Sequence, residues 1–137
     1  MIPTLALSEA IRARLTADPV IARHVDPSRI RMAAVRPEQM PAIHLSPTRS
    51  EILGRASGGQ IVAEVAQLVH VWAMQDGSGT AEQVAAAAML ALMDAPEASG
   101  FAFDAWDRPA LAWTDKPGLD GAAHGAISLR AVIRWHK

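Results

Sequence analysis

The sequence predicts an α+β fold, with an antiparallel or mixed β-sheet and helices packed on one of its faces. Helical patterns near residues 4–17 and 80–95 alternate along the chain with strand patterns. Residues 61–72 are rich in β-branched side chains, and residues 122–135 end in an alternation of apolar and polar positions. Many of the strands are joined by connections of hairpin length, which favours antiparallel pairing.

The first helix begins near Thr4, whose side chain can cap it, and it presents one apolar stripe at i, i+4 and i+8. Asp18 ends this helix and is also suited to cap a short second helix over residues 20–25, with Pro19 at its first position. The stripe consists of Leu7, Ile11 and Leu15.

Two short strands are predicted next, at residues 30–35 and 42–46. Prolines bound the second of them, which favours a place near a sheet edge. The following segment, 48–59, is polar and contains three glycines. It is therefore predicted to be a mobile loop.

The segment 61–72 is the strongest strand pattern, and both of its faces are largely apolar. We expect it to be central and covered on both sides, by helices or by another subunit. Residues 76–79 form a turn, and Thr80 and Gln83 have the spacing of a capping box at the start of the next helix. Pro96 ends that helix.

The last third of the chain contains three further strand patterns, at 101–106, 110–114 and 122–135. The connection at 107–109 contains Asp and Pro, the connection at 116–121 contains Asp, Pro and Gly, and both are predicted to be turns. In the final strand the apolar positions are predicted to face the core and two arginines the solvent.

The composition indicates a single domain over residues 1–137, of which 50% are hydrophobic. Such a chain buries roughly two-thirds of its unfolded surface, so it needs no disulfide or structural metal to fold. The absence of cysteine excludes thiol nucleophiles, cysteine-ligated zinc and iron–sulfur clusters. No apolar run approaches the ~20 residues of a membrane span, and residues 1–4 lack the features of a signal peptide, so the default expectation is a cytosolic protein.

The charges are segregated along the chain, although the net charge is only −1, which argues against a free-standing nucleic-acid binder. Residues 1–55 have a net charge of +3, residues 56–107 contain seven acids and no base, and the remainder has a net charge of +3. These charges either solvate outward faces or join faces of opposite sign between subunits. On the second interpretation the interface residues are Arg12, Arg14, Asp76 and Glu82.

The residues give little support for an enzyme. No two of the five histidines have the i, i+3 or i, i+4 spacing of a metal site on a helix. His70 and His124 could meet across neighbouring strands, either as a metal or acid–base site or as ordinary sheet histidines. Ser78, between two glycines, lacks the rest of a phosphate-loop or nucleophile motif, so it is interpreted as part of a turn. No catalytic, cofactor-binding or metal-binding residue is predicted.

Several segments together resemble the small tail completion, or tail-terminator, family of long-tailed phages and gene transfer agents. The resemblance extends over nearly the whole chain and rests on apolar patterns and a Val-Trp pair. The segments are residues 18–21, 29–30, 41–43, 68–72, 81–84 and 124–131.

This resemblance implies a structural virion protein that is synthesised in the bacterial cytoplasm and located at the junction of tail and neck. It implies a homo-oligomeric ring, usually a hexamer, that caps the tail-tube protein, ends its polymerisation and joins the tail to a neck or stopper protein. DNA would pass through the lumen without specific binding, and no cofactor or membrane would be involved. In this setting the inter-ring contacts of the loop 48–59 are assigned to Arg49, Glu51, Ile52, Leu53 and Arg55.

Two alternatives stay open. The chain could be a neck stopper or adaptor ring protein instead of a terminator. It could also be a small-ligand-binding or enzymatic α+β domain, with a pocket near Trp72, Trp106, Trp113 and His70.

Overall fold

The computed structural model describes residues 2–114 and 121–137, and in this part of the chain three helices and seven strands form one α+β arrangement. The predicted turn at 116–121 lies outside the described residues except for Gly121. The helices are α1 (Thr4–Thr16), α2 (Pro19–His24) and α3 (Thr80–Ala91). The strands are β1 (Ile30–Met32), β2 (Ala42–Leu45), β3 (Arg49–Ala56), β4 (Gln60–Met74), β5 (Ala102–Trp106), β6 (Ala110–Trp113) and β7 (Ala122–His136).

The sheet is built on β4 and β7, which are both 15 residues long and pair antiparallel over their whole length. Short strands flank this pair on both sides. β2 and β3 pair with different halves of β4, and β5 and β6 pair with different halves of β7, all antiparallel. β1 pairs parallel with β2, so the sheet is mixed and β2 lies one strand in from an edge.

The helices pack on one side of the sheet, here called the helix face. The core lies there because every second side chain of β4 and β7 points toward the helices. Ile11 and Leu15 of α1 are fully buried, as are Val84 and Ala88 of α3. The sheet contributes Ala63, Val65, Val69, Val71, Ile127, Leu129, Ala131, Ile133 and Trp135 to the same apolar cluster.

The helix ends agree with the sequence prediction in part. Asp18 caps α2 as predicted, because its Oδ1 accepts hydrogen bonds from the backbone N–H groups of Val20 and Ile21 at 2.9 and 3.0 Å. The predicted capping box of α3 is wrong. The N-cap of α3 is Gly79, at φ 74°, and the side-chain Oε1 of Gln83 contacts His24 Nε2 instead.

The predicted loop over residues 48–59 is also wrong, because residues 49–56 form β3. This strand and β4 form a hairpin whose turn, Ser57–Gly59, contains two glycines at positive φ. Residues 49–56 contain a single β-branched residue, Ile52, so the strand signal in the sequence is weak. Backbone pairing with β4, from Arg49↔Ala66 to Ala56↔Gln60, holds it as a strand.

No helix among the described residues is long and apolar enough to cross a membrane.

Candidate assembly surface

The side of the sheet opposite the helices is here called the open face. It consists of the other half of the side chains of β4 and β7, from Val62 to Met74 and from Ala122 to Arg134. Leu68 and Met74 are exposed there. The sequence analysis predicted that both faces of the central strand, β4, would be covered by helices or by another subunit. In the structure, helices cover only one of these faces.

One end of the open face carries a cluster of aromatic side chains. His70 Nδ1 and His124 Nε2 are 2.7 Å apart and share a hydrogen bond. The indole of Trp72 stacks on His124 with ring centroids 4.1 Å apart, and Thr114 Oγ1 is 2.8 Å from His124 Nδ1. The guanidinium of Arg36 lies 5.6 Å from the centre of the Trp72 ring. The prediction that His70 and His124 could meet across strands is thus confirmed.

The geometry of the histidine pair favours a neutral, structural role. Burial lowers the pKa of His70 and of His124, and in each case a neighbouring histidine, His44 or His70, lowers it further. Because the two facing nitrogens share one hydrogen, only one ring can donate at this contact. No three His, Asp or Glu side chains among the described residues are arranged to bind a metal ion.

The tryptophan pocket of the ligand-binding alternative is not assembled. Trp106 donates its indole N–H to the backbone oxygen of Leu92, at 2.9 Å, and packs against the core on the helix face. Trp113 lies opposite Gly125, a helix-face position, and so on the other side of the sheet from Trp72. The four residues therefore do not surround a common space.

Ion pairs occupy the opposite end of the open face. Arg130 bridges Glu64 and Asp107 at 2.8 and 3.0 Å, and its hydrogen bond lowers the pKa of the Glu64 carboxyl. Arg134 contacts Asp104 at 3.0 Å. These arginines were predicted to face solvent, but no pattern in the sequence indicates their partners, which come from β4, β5 and the residue after β5.

Most of β3 is exposed. Its first five residues are exposed whichever face they point toward. Ile52 and Leu53 are 61% and 52% exposed, although both are apolar. The five residues predicted to make inter-ring contacts therefore lie together on one edge strand, which sequence reasoning had placed in a loop. Their role in contacts between rings stays a prediction.

The two arginines predicted at a subunit interface both have partners within the chain. Arg12 donates to the backbone oxygens of Ile30 and Pro27. Arg14 donates to the backbone oxygens of Ala91 and Ala95, at 3.0 and 3.2 Å, and so binds the C-terminal end of α3. Arg14 thereby satisfies the Ala91 carbonyl, which lies in the last turn of α3 and has no partner within that helix.

The two predicted interface acids lie near the start of α3. Asp76 Oδ1 accepts from the backbone N–H of Ser78 at 2.9 Å, and hydrogen bonds from Ser78 lower the pKa of its carboxyl. Glu82 is exposed in the first turn of α3. None of the ion pairs among the described residues joins these acids to Arg12 or Arg14, so a contact between them across an interface stays a prediction.

Comparisons with known proteins address the architecture first. A chain of a solved structure described as the virion of a native gene transfer agent (GTA) particle has a similar fold, with a TM-score of 0.70. The two chains are 22% identical, and the alignment covers 97% of this chain and 98% of that one. No curated protein sequence matches the chain at a significant level. The model of the family described as tail completion protein gp17 matches residues 9–134. The matched range includes β1 to β6, α2 and α3 in full, α1 from Glu9 onward and β7 as far as Arg134, so the chain belongs to the tail completion protein gp17 family and is a phage tail structural protein.

Proposed function

We propose that this protein is a ring-forming tail terminator. Copies of the chain would stack on the last ring of the tail tube, stop its polymerisation and join the tail to the neck. The action is steric and templating, and no bond is made or broken. A hexamer is the ring size that the family resemblance implies.

The observation that carries this proposal is the uncovered strand β3. A strand that is exposed on both faces and contains apolar side chains is a surface that soluble monomers avoid and that assemblies use. The exposed Leu68 and Met74 of the open face add to it. Membership of the tail completion family supports the proposal, because neighbouring copies in a ring would cover such surfaces.

The proposal is tested by deleting the gene in the phage or agent that encodes it and measuring tail lengths by electron microscopy. A terminator leaves tail tubes of uncontrolled length when it is lost, and the wild-type gene restores a uniform length. Tails of normal length, accompanied by heads that fail to attach, would contradict the terminator role and favour the stopper or adaptor role. Mixing the purified chain with polymerising tail-tube protein gives a second readout, since a terminator shortens the tubes.

A further inference from the structure

We propose that β3 of one copy pairs with β5 of a neighbouring copy, so that the sheet continues from subunit to subunit. The inference rests on the proposed function, which supplies a second copy of this chain as the occupant of the exposed edge. Beyond the proposed function, the inference specifies the contact surface (β3), the segment of the neighbouring copy that binds it (β5) and the relative direction of the two strands.

The two strands flank the same end of the long pair β4 and β7. Four residues form one row across the sheet. Ile52 of β3 pairs with Ala63 of β4, Ala63 pairs with Ile133 of β7, and Ile133 pairs with Phe103 of β5. The order β3-β4-β7-β5 thus forms a four-stranded row. Its two outer edges lie at the same height and on opposite sides of the subunit.

Both edges are available for pairing. In residues 2–114 and 121–137, β3 pairs only with β4 and β5 only with β7. No other backbone hydrogen bond within these ranges involves residues 49–56 or 102–106. An edge strand with unpaired N–H and C=O groups is a template for a strand from another chain.

The strand directions match. All three pairings in the row are antiparallel, so β3 runs with β7 and β5 runs with β4, in the opposite direction. When β5 of a second copy lies beside β3, the alternation therefore continues. The contact joins two different edges, and such a heterologous contact repeats around a ring until it closes.

The side chains at the two edges are also complementary. Ile52 shares the helix face with Phe103, whose ring packs edge-on against Phe101 and Trp106 at 5.2 and 5.4 Å. A neighbouring β5 would give the exposed Ile52 an aromatic surface to pack against. The charges agree as well. Arg49 and Arg55 of β3 have no carboxylate partner among the described residues.

The opposite edge supplies acids. Asp94 and Glu97 are exposed in the connection that leads into β5, and no basic residue lies between positions 56 and 107. Pairing of β3 with β5 therefore brings a basic strand toward an acidic flank, and such complementarity favours one register over others.

Disulfide cross-linking tests the pairing, because the natural chain has no cysteine. Glu51, Ala102 and Ala105 all lie on the open-face side, opposite Glu64, Arg134 and Val132. We would combine Glu51→Cys with Ala102→Cys, and separately with Ala105→Cys, to cover two registers. Disulfides require Cβ atoms about 3.5–4.5 Å apart, so only a direct neighbour is captured. The matched control combines Glu51→Cys with Ala22→Cys, an exposed position of α2.

The variants are oxidised both as purified chain and in purified particles, and covalent multimers are read on denaturing gels. We expect a ladder that ends at the ring size for at least one of the β3–β5 pairs and only background dimers for the control. Monomers from both β3–β5 pairs, in particles that still carry the protein, would overturn the inference and leave the terminator role intact. A covalent ring combined with normal tail lengths in the deletion strain would instead overturn the terminator role alone.

A single substitution gives a second, independent test. Ile52→Lys would place an ammonium group against the aromatic side chains of the neighbour, and we expect ring yield to fall about tenfold or more. The melting temperature of the monomer should stay unchanged because Ile52 is exposed within its own chain. Val35→Lys is the control, since Val35 is 71% exposed and lies in the connection between β1 and β2. Equal ring yields from the two variants would also count against the inference.

Discussion

At the scale of single residues, the histidine pair predicts a dependence of stability on pH. The pKa values of His70 and His124 are lowered on folding, chiefly by burial. Among the described residues, the cleft around them is lined by Arg36 and His44 and by no carboxylate that could favour the charged form. Below the ordinary histidine pKa of 6.5 the unfolded chain therefore binds more protons than the folded chain.

The stability contributed by this pair is complete above pH 6.5 and is lost as the pH falls toward the lowered folded pKa values. We expect the free energy of unfolding, measured with urea, to fall between pH 7.5 and pH 5. The double variant His70→Gln/His124→Gln should show a shallower slope. His136→Gln, at an exposed position, is the control and should keep the wild-type slope. If the double variant also keeps the wild-type slope, the pair does not control the acid sensitivity.

Gly125 shows a second residue-scale constraint, which is steric. A Cβ at this position would lie 3.0 Å from Cε3 and Cζ3 of Trp113 and 3.1 Å from Cδ1 of Leu111. Because Trp113 is 39% exposed, its ring can move, so we expect Gly125→Ala to destabilise by only about 1 kcal/mol, the low end for overpacking. In a Trp113→Ala background the same change should cost less. If Gly125→Ala lowers the free energy of unfolding equally in the wild type and in Trp113→Ala, contact with the Trp113 ring is not the cause of the loss.

At the scale of elements, α3 depends on a side chain from another helix. Arg14 donates one hydrogen bond to the carbonyl of Ala91, the last residue of α3, and a second to the carbonyl of Ala95 in the connection that follows. A cation at the C-terminal end of a helix also interacts favourably with the helix dipole. Hydrogen bonds to charged groups contribute ~1.5–3 kcal/mol, so Arg14→Ala should lower the free energy of unfolding by about that amount. Arg23→Ala, at an exposed position of α2, is the control. Equal losses from the two variants would mean that the contact does not stabilise the helix.

The sequence analysis predicted well those elements that bury one face, because that face imposes a regular spacing on the apolar residues. The alternation in β7 is complete because helices cover one side of it, and the same cover produces the stripe of α1. β3 was missed because neither of its faces is buried within the subunit, so burial imposed no period on its side chains. The partners of Arg12 and Arg14 were missed for another reason, since a backbone carbonyl carries no residue-specific signal in the sequence.

At the scale of the whole molecule, the order of elements predicted the α+β fold, but it did not specify which strand flanks which half of the long pair. That arrangement places Trp72, Trp106 and Trp113 apart and aligns β3 with β5. Local patterns encode which side chains are buried, whereas strand order depends on long-range pairing. The surface that we propose for assembly is therefore visible only in the folded chain.

The predicted charge contact between subunits also belongs to this scale. Arg12 and Arg14 hydrogen-bond within the chain, so reversing their charge would disturb the fold together with any interface. Substitution of the acids Asp76 and Glu82 tests the charge contact with less disturbance of the fold. Asp76→Asn combined with Glu82→Gln removes two charges and keeps an acceptor oxygen for the Asp76–Ser78 contact.

Exposed ion pairs contribute at most ~1 kcal/mol each, but a ring repeats them at every interface. We therefore expect the double variant to form fewer rings than wild type at low salt. The difference should shrink as screening over about 8–10 Å weakens the original attraction. Ring mass across a salt series measures this effect, with Glu9→Gln/Glu38→Gln as a control of equal charge change at exposed positions outside the acid-only segment. Identical rings from both double variants at every ionic strength would assign Asp76 and Glu82 to solvated surface, and the contact between subunits would then depend on the sheet edges and their apolar side chains.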